Sequence, residues 1–375
     1  MIIRNARVFC DDYKFRIKDV YTSGGRFVDS ENEADSSCVE DASGMNLIPG
    51  LVDIHTHGAV GVEFSECSVE ELEKAAEYYY SCGVTTFLAT SETDSEESLS
   101  RAFEAVAKYN DADGRAHVGG INMEGPFLSP DKLGAMNELY LKNPDVELFD
   151  RLNAISGGQV RLITVAPEID GAMEFISEMK KRGVFVSLGH SVTDYDTAVR
   201  AFEAGASQLT HLYNAMPPLH HRNPALIGAG ADYDGCMAEI ISDGFHIHPS
   251  AIRIAFSIFG AERMILISDA ICAMGMPDGD YVTAGLGFTK TGCKALLPDG
   301  TIAGSATNQF ECMRRAMSFG IPEESAVRAA TANPAKAVGL YGKIGSVTPG
   351  KRADFVIADS DYNIKSVHLG KKMPE

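Results

Sequence analysis

Side chains that bind metal ions recur along the chain, each at or just after the end of an apolar segment. His55 and His57 follow Leu47–Ile54 and are two residues apart, so in an extended chain their rings lie on the same side. Four further residues lie at the ends of later segments: Glu124, His190, His211 and Asp269. One such residue is weak evidence, because a lone buried histidine is more often structural. Six of them together predict a metal centre.

The chemistry that these residues predict is cleavage of an amide bond with one or two divalent metal ions. Glu124 could offer one carboxylate oxygen to each of two metals, with His190 and His211 completing the second position. A bound metal lowers the pKa of water toward ~7, which gives a nucleophile at neutral pH. Asp269 could bind metal, accept a proton from that water and pass it to the departing amine. We expect zinc, with iron, cobalt or manganese as alternatives.

Eight apolar, strand-like segments alternate with helical stretches, which is typical of a parallel α/β architecture. They are Leu47–Ile54, Thr85–Ala89, Val118–Met123, Val160–Val165, Val184–Leu188, Gln208–Leu212, Met237–Ser242 and Met264–Ser268. Eight is the number that a (β/α)₈ TIM-type barrel needs, and the carboxyl ends of its strands meet at one face. The fold would therefore bring the six candidate ligands together. Ser68 and Glu71 predict a capping box at the start of the first helix.

Both ends of the chain consist of short strand-like runs and turns, and neither has enough apolar residues for a core of its own. We therefore predict that residues 1–50 and 345–375 form one small β-sandwich domain. The barrel would occupy residues 51–344, with a β insertion at about 281–302.

Bulk properties exclude several classes of protein. The net charge of −19, from 33 basic and 52 acidic residues, comes without a dense Lys/Arg cluster, which argues against nucleic-acid binding. No apolar stretch approaches the ~20 residues that span a bilayer, so we expect no membrane contact and a cytoplasmic location. Eight cysteines without a C-x-x-C pair imply neither a disulfide framework nor a cysteine zinc site. An anionic substrate would need local positive charge in this acidic protein.

Longer motifs surround the candidate ligands. They are Pro49–His57, Glu124–Phe127, Leu188–Ser191, Thr210–Pro217, Ser242–His246, Ser268–Ala270 and Gly345–Val356. In this order they resemble the N-acetylglucosamine-6-phosphate deacetylases of the amidohydrolase superfamily, over essentially the whole chain. The resemblance implies hydrolysis of N-acetyl-D-glucosamine 6-phosphate to D-glucosamine 6-phosphate and acetate in amino-sugar catabolism.

The same resemblance implies a role for each metal-site residue. The ligands of the principal metal would be Glu124, His190 and His211. Asp269 would be the catalytic acid/base. Some members lack the first His-x-His, so His55 and His57 place the chain with the members that bind two metals.

Four residues are implied to bind substrate. Asn214, the backbone at Ala215, and Arg222 would hold the sugar phosphate, and Arg222 would reach into the neighbouring subunit of a homodimer. His246 would bind a sugar hydroxyl, although His246-Ile247-His248 is a second His-x-His motif and at least one of the two motifs could be structural. On residue type alone Arg222 would pair with a surface carboxylate, but its local basic patch favours phosphate.

Met136 departs from the family pattern. Family members have histidine or glutamine here, whose side chain bonds the substrate near its carbonyl, and methionine cannot donate that bond. Three explanations stay open: a second metal polarises the carbonyl, Asn137 substitutes, or the substrate is a different N-acyl amino sugar or related amide. A third class of function, a non-enzymatic relative, is disfavoured because such proteins usually lose metal ligands and none is missing here.

Overall fold

The computed structural model describes residues 1–35, 38–283 and 285–371. Its largest sheet has eight parallel strands, each pairing with the next along the chain. In chain order they are β1 (Leu51–Asp53), β2 (Val84–Ser91), β3 (His117–Glu124), β4 (Val160–Val165), β5 (Phe185–Leu188), β6 (Gln208–Leu209), β7 (Met237–Ile241) and β8 (Met264–Ile267). This confirms the predicted (β/α)₈ barrel.

Ten α-helices are found in the described residues, most of them packed around the barrel. They are α1 (Val69–Ser81), α2 (Glu96–Lys108), α3 (Val146–Ile155), α4 (Ala172–Lys181), α5 (Tyr195–Ala204), α6 (Ala225–Asp232), α7 (Pro249–Phe259), α8 (Gln309–Ser318), α9 (Glu323–Ala330) and α10 (Ala332–Ala337). Short 3₁₀ helices cover Glu31–Glu33, Pro130–Lys132 and Glu138–Tyr140. No helix of the described chain is both long enough and apolar enough to cross a membrane.

Helix α1 shows how sequence fixes an element and how that element supports the site. The predicted capping box is present, with the Ser68 hydroxyl accepting from Glu71 N–H and the Glu71 carboxylate accepting from Ser68 N–H. The helix buries an apolar face that ends at Tyr79. The Tyr79 hydroxyl lies 2.5 Å from Thr56 Oγ1 and donates to the Gly58 carbonyl. It therefore supports the segment that carries His55 and His57.

The barrel closes between β8 and β1 without a regular strand ladder in the described residues. Gln309, fully buried at the start of α8, donates from Nε2 to the Val52 carbonyl (2.7 Å) and the Leu266 carbonyl (2.9 Å). Beyond the strands, Asp269 N–H donates to the His55 carbonyl at 3.0 Å. One side-chain amide thus bridges the two strands, and one backbone bond fixes Asp269 beside His55.

The two ends of the chain share one seven-stranded sheet. Its strands are Ile2–Phe9, Phe15–Ser23, Arg26–Val28, Val39–Asp41, Asn46–Pro49, Phe355–Ala358 and Ile364–His368. Asn46–Pro49 pairs antiparallel with Phe355–Ala358, which joins the two ends. Because Gly50 leaves this sheet for the barrel, the predicted strand Leu47–Ile54 is divided into two. A Cβ at Gly50 would lie 2.1 Å from Thr85 Oγ1, so the crossing requires glycine.

A four-stranded antiparallel sheet follows β8, where the insertion is predicted. Its strands are Gly279–Thr283, Leu286–Thr291, Lys294–Leu296 and Ile302–Ser305. The Ser305 N–H donates to the Asp269 carbonyl at 2.8 Å. The last strand therefore lies against the carboxyl end of β8. A smaller hairpin pairs Gly58–Ala59 with Val62–Glu63.

Candidate active site

The six predicted ligands meet at the carboxyl end of the barrel in two groups. One group is His55, His57 and Asp269, and the other is Glu124, His190 and His211. Within each group the potential ligand atoms lie within 4.8 Å of one another. Fold topology therefore brings together residues that are far apart in sequence.

Glu124 links the two groups through its two carboxylate oxygens. Oε2 lies 3.2 Å from Nε2 of both His55 and His57. Oε1 lies 3.2 Å from Nε2 of His190 and 3.0 Å from Nε2 of His211. This is the arrangement expected of a carboxylate that serves two metal positions.

Asp269 completes the first group. Its Oδ1 lies 3.4 Å from Nε2 of His55 and 3.3 Å from Nε2 of His57. The backbone of Asp269 has φ of 48°, and His190 and His211 have φ of 46° and 28°. A left-handed conformation at a residue other than glycine costs on the order of 1–3 kcal/mol and is concentrated at functional sites. Three of the six candidate ligands thus sit on strained strand ends.

Neighbouring acceptors fix which nitrogen of two histidines faces the centre. Nδ1 of His190 lies 2.8 Å from the Lys132 carbonyl, and Nδ1 of His55 lies 2.9 Å from Glu239 Oε2. When Nδ1–H donates in each ring, Nε2 carries the lone pair that a metal needs. Nε2 of His55 is buried and has no hydrogen-bond partner in the described residues. Imidazole nitrogens and carboxylate oxygens are ligands that zinc uses. The residues present fit a divalent metal.

Charge balance in the site favours a bound cation. Burial opposes charge on His55, but Glu124 and Glu239 raise its pKa well above the usual value. Burial likewise opposes charge on Glu124, yet the charge of His55 and the hydrogen bonds of His190 and His211 hold the pKa of Glu124 well below its usual value. The buried carboxylates therefore create a field that stabilises positive charge at the positions where the histidine Nε2 atoms converge.

A cavity of about 390 Å³ opens onto both groups. Its lining includes Asn214, Ala215 and His246, which were predicted to bind substrate, and Met136, which occupies the position expected to face the substrate carbonyl. Part of the wall is the last strand of the insertion sheet, through Ile302, Ala303 and Gly304. Arg222 does not line this cavity within one chain; it is exposed, with its Nη1 3.0 Å from His221 Nε2.

The two histidines of the second His-x-His have different environments. His246 lines the cavity, and its Nδ1 lies 2.7 Å from Asp243 Oδ2. Burial opposes ionisation of Asp243, but the hydrogen bond from His246 lowers the pKa of Asp243 below its usual value. His248 is exposed and caps α7, accepting from Ser250 N–H at 3.2 Å. His246 is thus held for a role in the cavity, and His248 has a structural one.

The loop around Met136 bears on one of the open explanations. Met136 Sδ accepts a hydrogen bond from Thr93 N–H at 3.4 Å. The Asn137 side chain accepts from Leu139 N–H and caps the 3₁₀ helix Glu138–Tyr140, and Asn137 is not among the residues that line the cavity. In this conformation, therefore, Asn137 does not replace the missing donor.

Sequence reasoning missed two buried carboxyls near the centre. Glu239 is fully buried on β7 and orients His55. Glu92 follows β2 and lines the cavity. Signals were present for both: Glu239 is a charge inside an apolar strand, and Glu92 lies at a barrel strand end, where catalytic groups gather.

Comparison with known proteins agrees with this geometry. Residues 46–373 match the model of the amidohydrolase family. The N-acetylglucosamine-6-phosphate deacetylase of Bacillus subtilis is 38% identical over 85% of this chain and 82% of its own length. The chain belongs to the N-acetylglucosamine-6-phosphate deacetylase family of amidohydrolases.

Other members show how the likeness extends to structure and to substrate. The N-acetylglucosamine-6-phosphate deacetylase of Pasteurella multocida superimposes with a TM-score of 0.91 at 29% identity, covering 98% of this chain and 97% of that one. A variant of the Mycobacterium smegmatis enzyme in complex with N-acetyl-D-glucosamine-6-phosphate gives a TM-score of 0.91 at 31% identity, with the same coverage. An N-acetylgalactosamine-6-phosphate deacetylase of Escherichia coli is 34% identical over 86% of each chain.

Proposed function

We propose that this chain hydrolyses the acetamido group of N-acetyl-D-glucosamine 6-phosphate, giving D-glucosamine 6-phosphate and acetate in amino-sugar catabolism. The observation that carries this proposal is the single cavity in which Glu124 joins two ligand groups while Asp269, Asn214 and His246 face the same space. Relatives that carry this activity by name support it.

Six residues would hold the metal in two positions that share Glu124: His55, His57, Glu124, His190, His211 and Asp269. A divalent metal supplies Lewis-acid chemistry there, lowering the pKa of a water and polarising a carbonyl. We assign zinc as the preferred metal because imidazole and carboxylate are its usual ligands at catalytic sites. Iron, cobalt and manganese also accept these ligands and are the alternatives.

Asp269 is the proposed acid/base. Burial opposes its ionisation, but the hydrogen bond to His57 and the charge of His55 hold the pKa of Asp269 below its usual value. It is therefore ionised at neutral pH and able to accept a proton from the attacking water. Asp269 then returns that proton to the amide nitrogen, so that the nitrogen departs as a neutral amine. Without the proton, the nitrogen would be a poor leaving group and would depart slowly.

The sugar and the phosphate of the substrate would be held by other residues that line the same cavity. His246, fixed by Asp243, binds a sugar hydroxyl, and Asn214 with the backbone at Ala215 binds the phosphate. Arg222 is exposed in the single chain and supplies positive charge to the site of the neighbouring subunit in a homodimer. We place this reaction in the cytoplasm, where phosphorylated sugars are retained.

The decisive experiment compares hydrolysis of three substrates by the zinc-loaded protein. We expect N-acetylglucosamine 6-phosphate to be cleaved with a kcat/KM at least about 100-fold above that for unphosphorylated N-acetylglucosamine, a difference of roughly 3 kcal/mol in recognition of a charged group. N-acetylgalactosamine 6-phosphate is the third substrate, because one relative acts on it. Faster cleavage of the galactose epimer, or of the unphosphorylated sugar, would contradict the proposed substrate.

A further inference from the structure

Glu92 lines the cavity but has no role so far: it belongs to neither group of candidate metal ligands and is not one of the proposed substrate-binding residues. It directly follows β2 and is only 4% exposed. It lines the cavity together with His57 and Met136. A buried carboxyl is costly unless it is hydrogen-bonded or paired, so its position there calls for a partner.

Hydrogen-bond accounting leaves Glu92 without a donor. Thr283 Oγ1 lies 2.8 Å from Glu63 Oε2 and 3.5 Å from Glu92 Oε1, and a hydroxyl has one proton to give. The shorter contact assigns that proton to Glu63, which also accepts from Cys272 N–H at 3.1 Å. Glu92 Oε2 has no hydrogen-bond partner in the described residues. Glu63 is thus supplied with donors and Glu92 is not.

The surroundings of Glu92 favour a neutral carboxyl. Burial, and then the negative charge of Glu63, raise the pKa of Glu92 to about 8, while His57 acts in the opposite direction and Glu124 and Asp269 add to the rise. A neutral carboxylic acid is a hydrogen-bond donor. Glu92 lines the same cavity as His57, Glu124 and Asp269.

Met136 lies next to Glu92, at the position where a hydrogen-bond donor to the substrate carbonyl is missing. Its Sδ is held by the N–H of Thr93, the residue after Glu92, and a thioether has no proton to donate. The end of β2 and the loop at Met136 therefore form one wall of the cavity. Between Met136 and Glu92, only a neutral Glu92 carboxyl has a proton to donate from its side chain.

We propose that Glu92 positions the substrate by donating a hydrogen bond from its carboxyl to the acyl oxygen of the acetamido group, which Met136 cannot do. This inference rests on the proposed deacetylation. The donor aids turnover because the acyl oxygen gains negative charge as water adds, so the bond strengthens in the transition state.

Three variants test this role. Glu92→Leu should lower kcat by about 10²-fold, the usual effect of removing one oxyanion donor. Glu92→Gln keeps a donor and should lose no more than about a tenth of that factor, roughly tenfold. Adding Met136→Gln to Glu92→Leu should restore at least about tenfold in kcat, because the new amide donates from the neighbouring position. Glu97→Leu is the control, since Glu97 is an exposed glutamate on α2 that does not line the cavity.

The outcomes separate this inference from the proposed function. Metal content and the thermal midpoint are measured for every variant, so that a folding defect is not read as a loss of chemistry. Near-normal kcat in Glu92→Leu, an equal loss in Glu92→Gln, or no recovery with Met136→Gln would overturn the role of Glu92 while the deacetylation stands. No hydrolysis by the unmodified, metal-loaded protein would overturn the deacetylation and this inference with it.

Discussion

The Nε2 atoms of His190 and His211 lie 3.0 Å apart, and each is close to the same oxygen of Glu124. When Nδ1–H of a neutral His190 donates to the Lys132 carbonyl, its Nε2 can only accept, and one proton on Nε2 of His211 cannot serve both that nitrogen and Glu124 Oε1. One cation bound between the two rings and the carboxylate would satisfy all three. The arrangement is therefore better explained by metal ligation than by a hydrogen-bond network.

A variant that removes one ligand from either group should lose the metal of that group before the metal of the other group. We expect His211→Ala to lose the metal held with Glu124 and His190, and to lower turnover by at least about 10²-fold through loss of Lewis-acid chemistry. His57→Ala should lower metal content by up to one ion per chain while keeping part of the activity. Elemental analysis of purified protein gives the readout.

His248→Ala is the matched control for these two variants, because His248 is exposed and caps α7. It should keep full metal content. Unchanged metal content in His211→Ala would contradict the assigned ligand group.

Asp269→Asn should separate metal binding from proton transfer. The amide keeps an oxygen for the metal position but cannot accept a proton, so kcat should fall by about 10²- to 10⁴-fold. Metal content and substrate affinity should change little, and calorimetric titration with N-acetylglucosamine 6-phosphate measures the latter. Near-normal turnover in this variant would rule out Asp269 as the acid/base.

Arg222 should act in the site of the other subunit. Arg222→Met should raise KM for the phosphorylated sugar by about 10- to 100-fold, the worth of a charged hydrogen bond, and leave cleavage of the unphosphorylated sugar unaffected. Arg101→Met is the control, since Arg101 lies on the exposed face of α2 and, among the described residues, hydrogen-bonds to Glu97 and Ser98 of the same helix. Sedimentation tests whether the protein is a homodimer.

Mixed dimers give a sharper test of the same idea. Coexpression of Arg222→Met with Asp269→Asn produces dimers in which one site has Asp269 from its own chain and Arg222 from the partner chain. Activity above that of either variant alone is expected. If no activity is regained in verified mixed dimers, Arg222 does not reach across.

Sequence patterns predicted the parts of the fold that repeat and placed the candidate ligands at strand ends, where the structure brings them together. All eight barrel strands were identified because buried parallel strands are continuous apolar runs bounded by turns. The boundary between the terminal domain and the barrel was placed after residue 50, yet Leu47–Ile54 was predicted as one continuous strand, since both flanking strands are apolar and pairing partners cannot be read from one chain segment. Glu239 and Gln309 were missed for the same reason: their partners, His55 and the carbonyls of β1 and β8, are distant in sequence.

Gln309 is predicted to stabilise the seam between β8 and β1. Gln309→Met keeps the size of the side chain but leaves the buried carbonyls of Val52 and Leu266 without this donor. Each unsatisfied group costs about 1–3 kcal/mol, so the thermal midpoint of the metal-loaded protein should fall by several degrees. Gln159→Met, in a part-buried loop contact to the Ser156 carbonyl, should lower it far less. Equal midpoints for the two variants would contradict this role.

Glu323 should stabilise the contact between the terminal sheet and α9 at neutral pH, and this stabilisation should be lost in acid. Its carboxylate accepts from Arg7 at 2.8 and 2.6 Å and from the Tyr362 hydroxyl at 2.7 Å. The hydrogen bonds from Arg7 lower the pKa of Glu323 below its usual 4.5. Because the folded pKa is the lower one, this stabilisation is fully present above pH 4.5 and is lost as pH falls through the folded pKa.

Glu323→Gln should therefore be less stable than the unmodified protein at neutral pH, and the difference should shrink as pH falls below about 4.5, the pKa of an unperturbed glutamate. Glu324→Gln is the matched control, because Glu324 shares the first turn of α9 and the same helix dipole. Urea midpoints from pH 7 down to about pH 3 measure both variants, a range that brackets the unperturbed pKa. A pH-independent difference for Glu323→Gln would show that its contacts act through packing and that its charge contributes nothing.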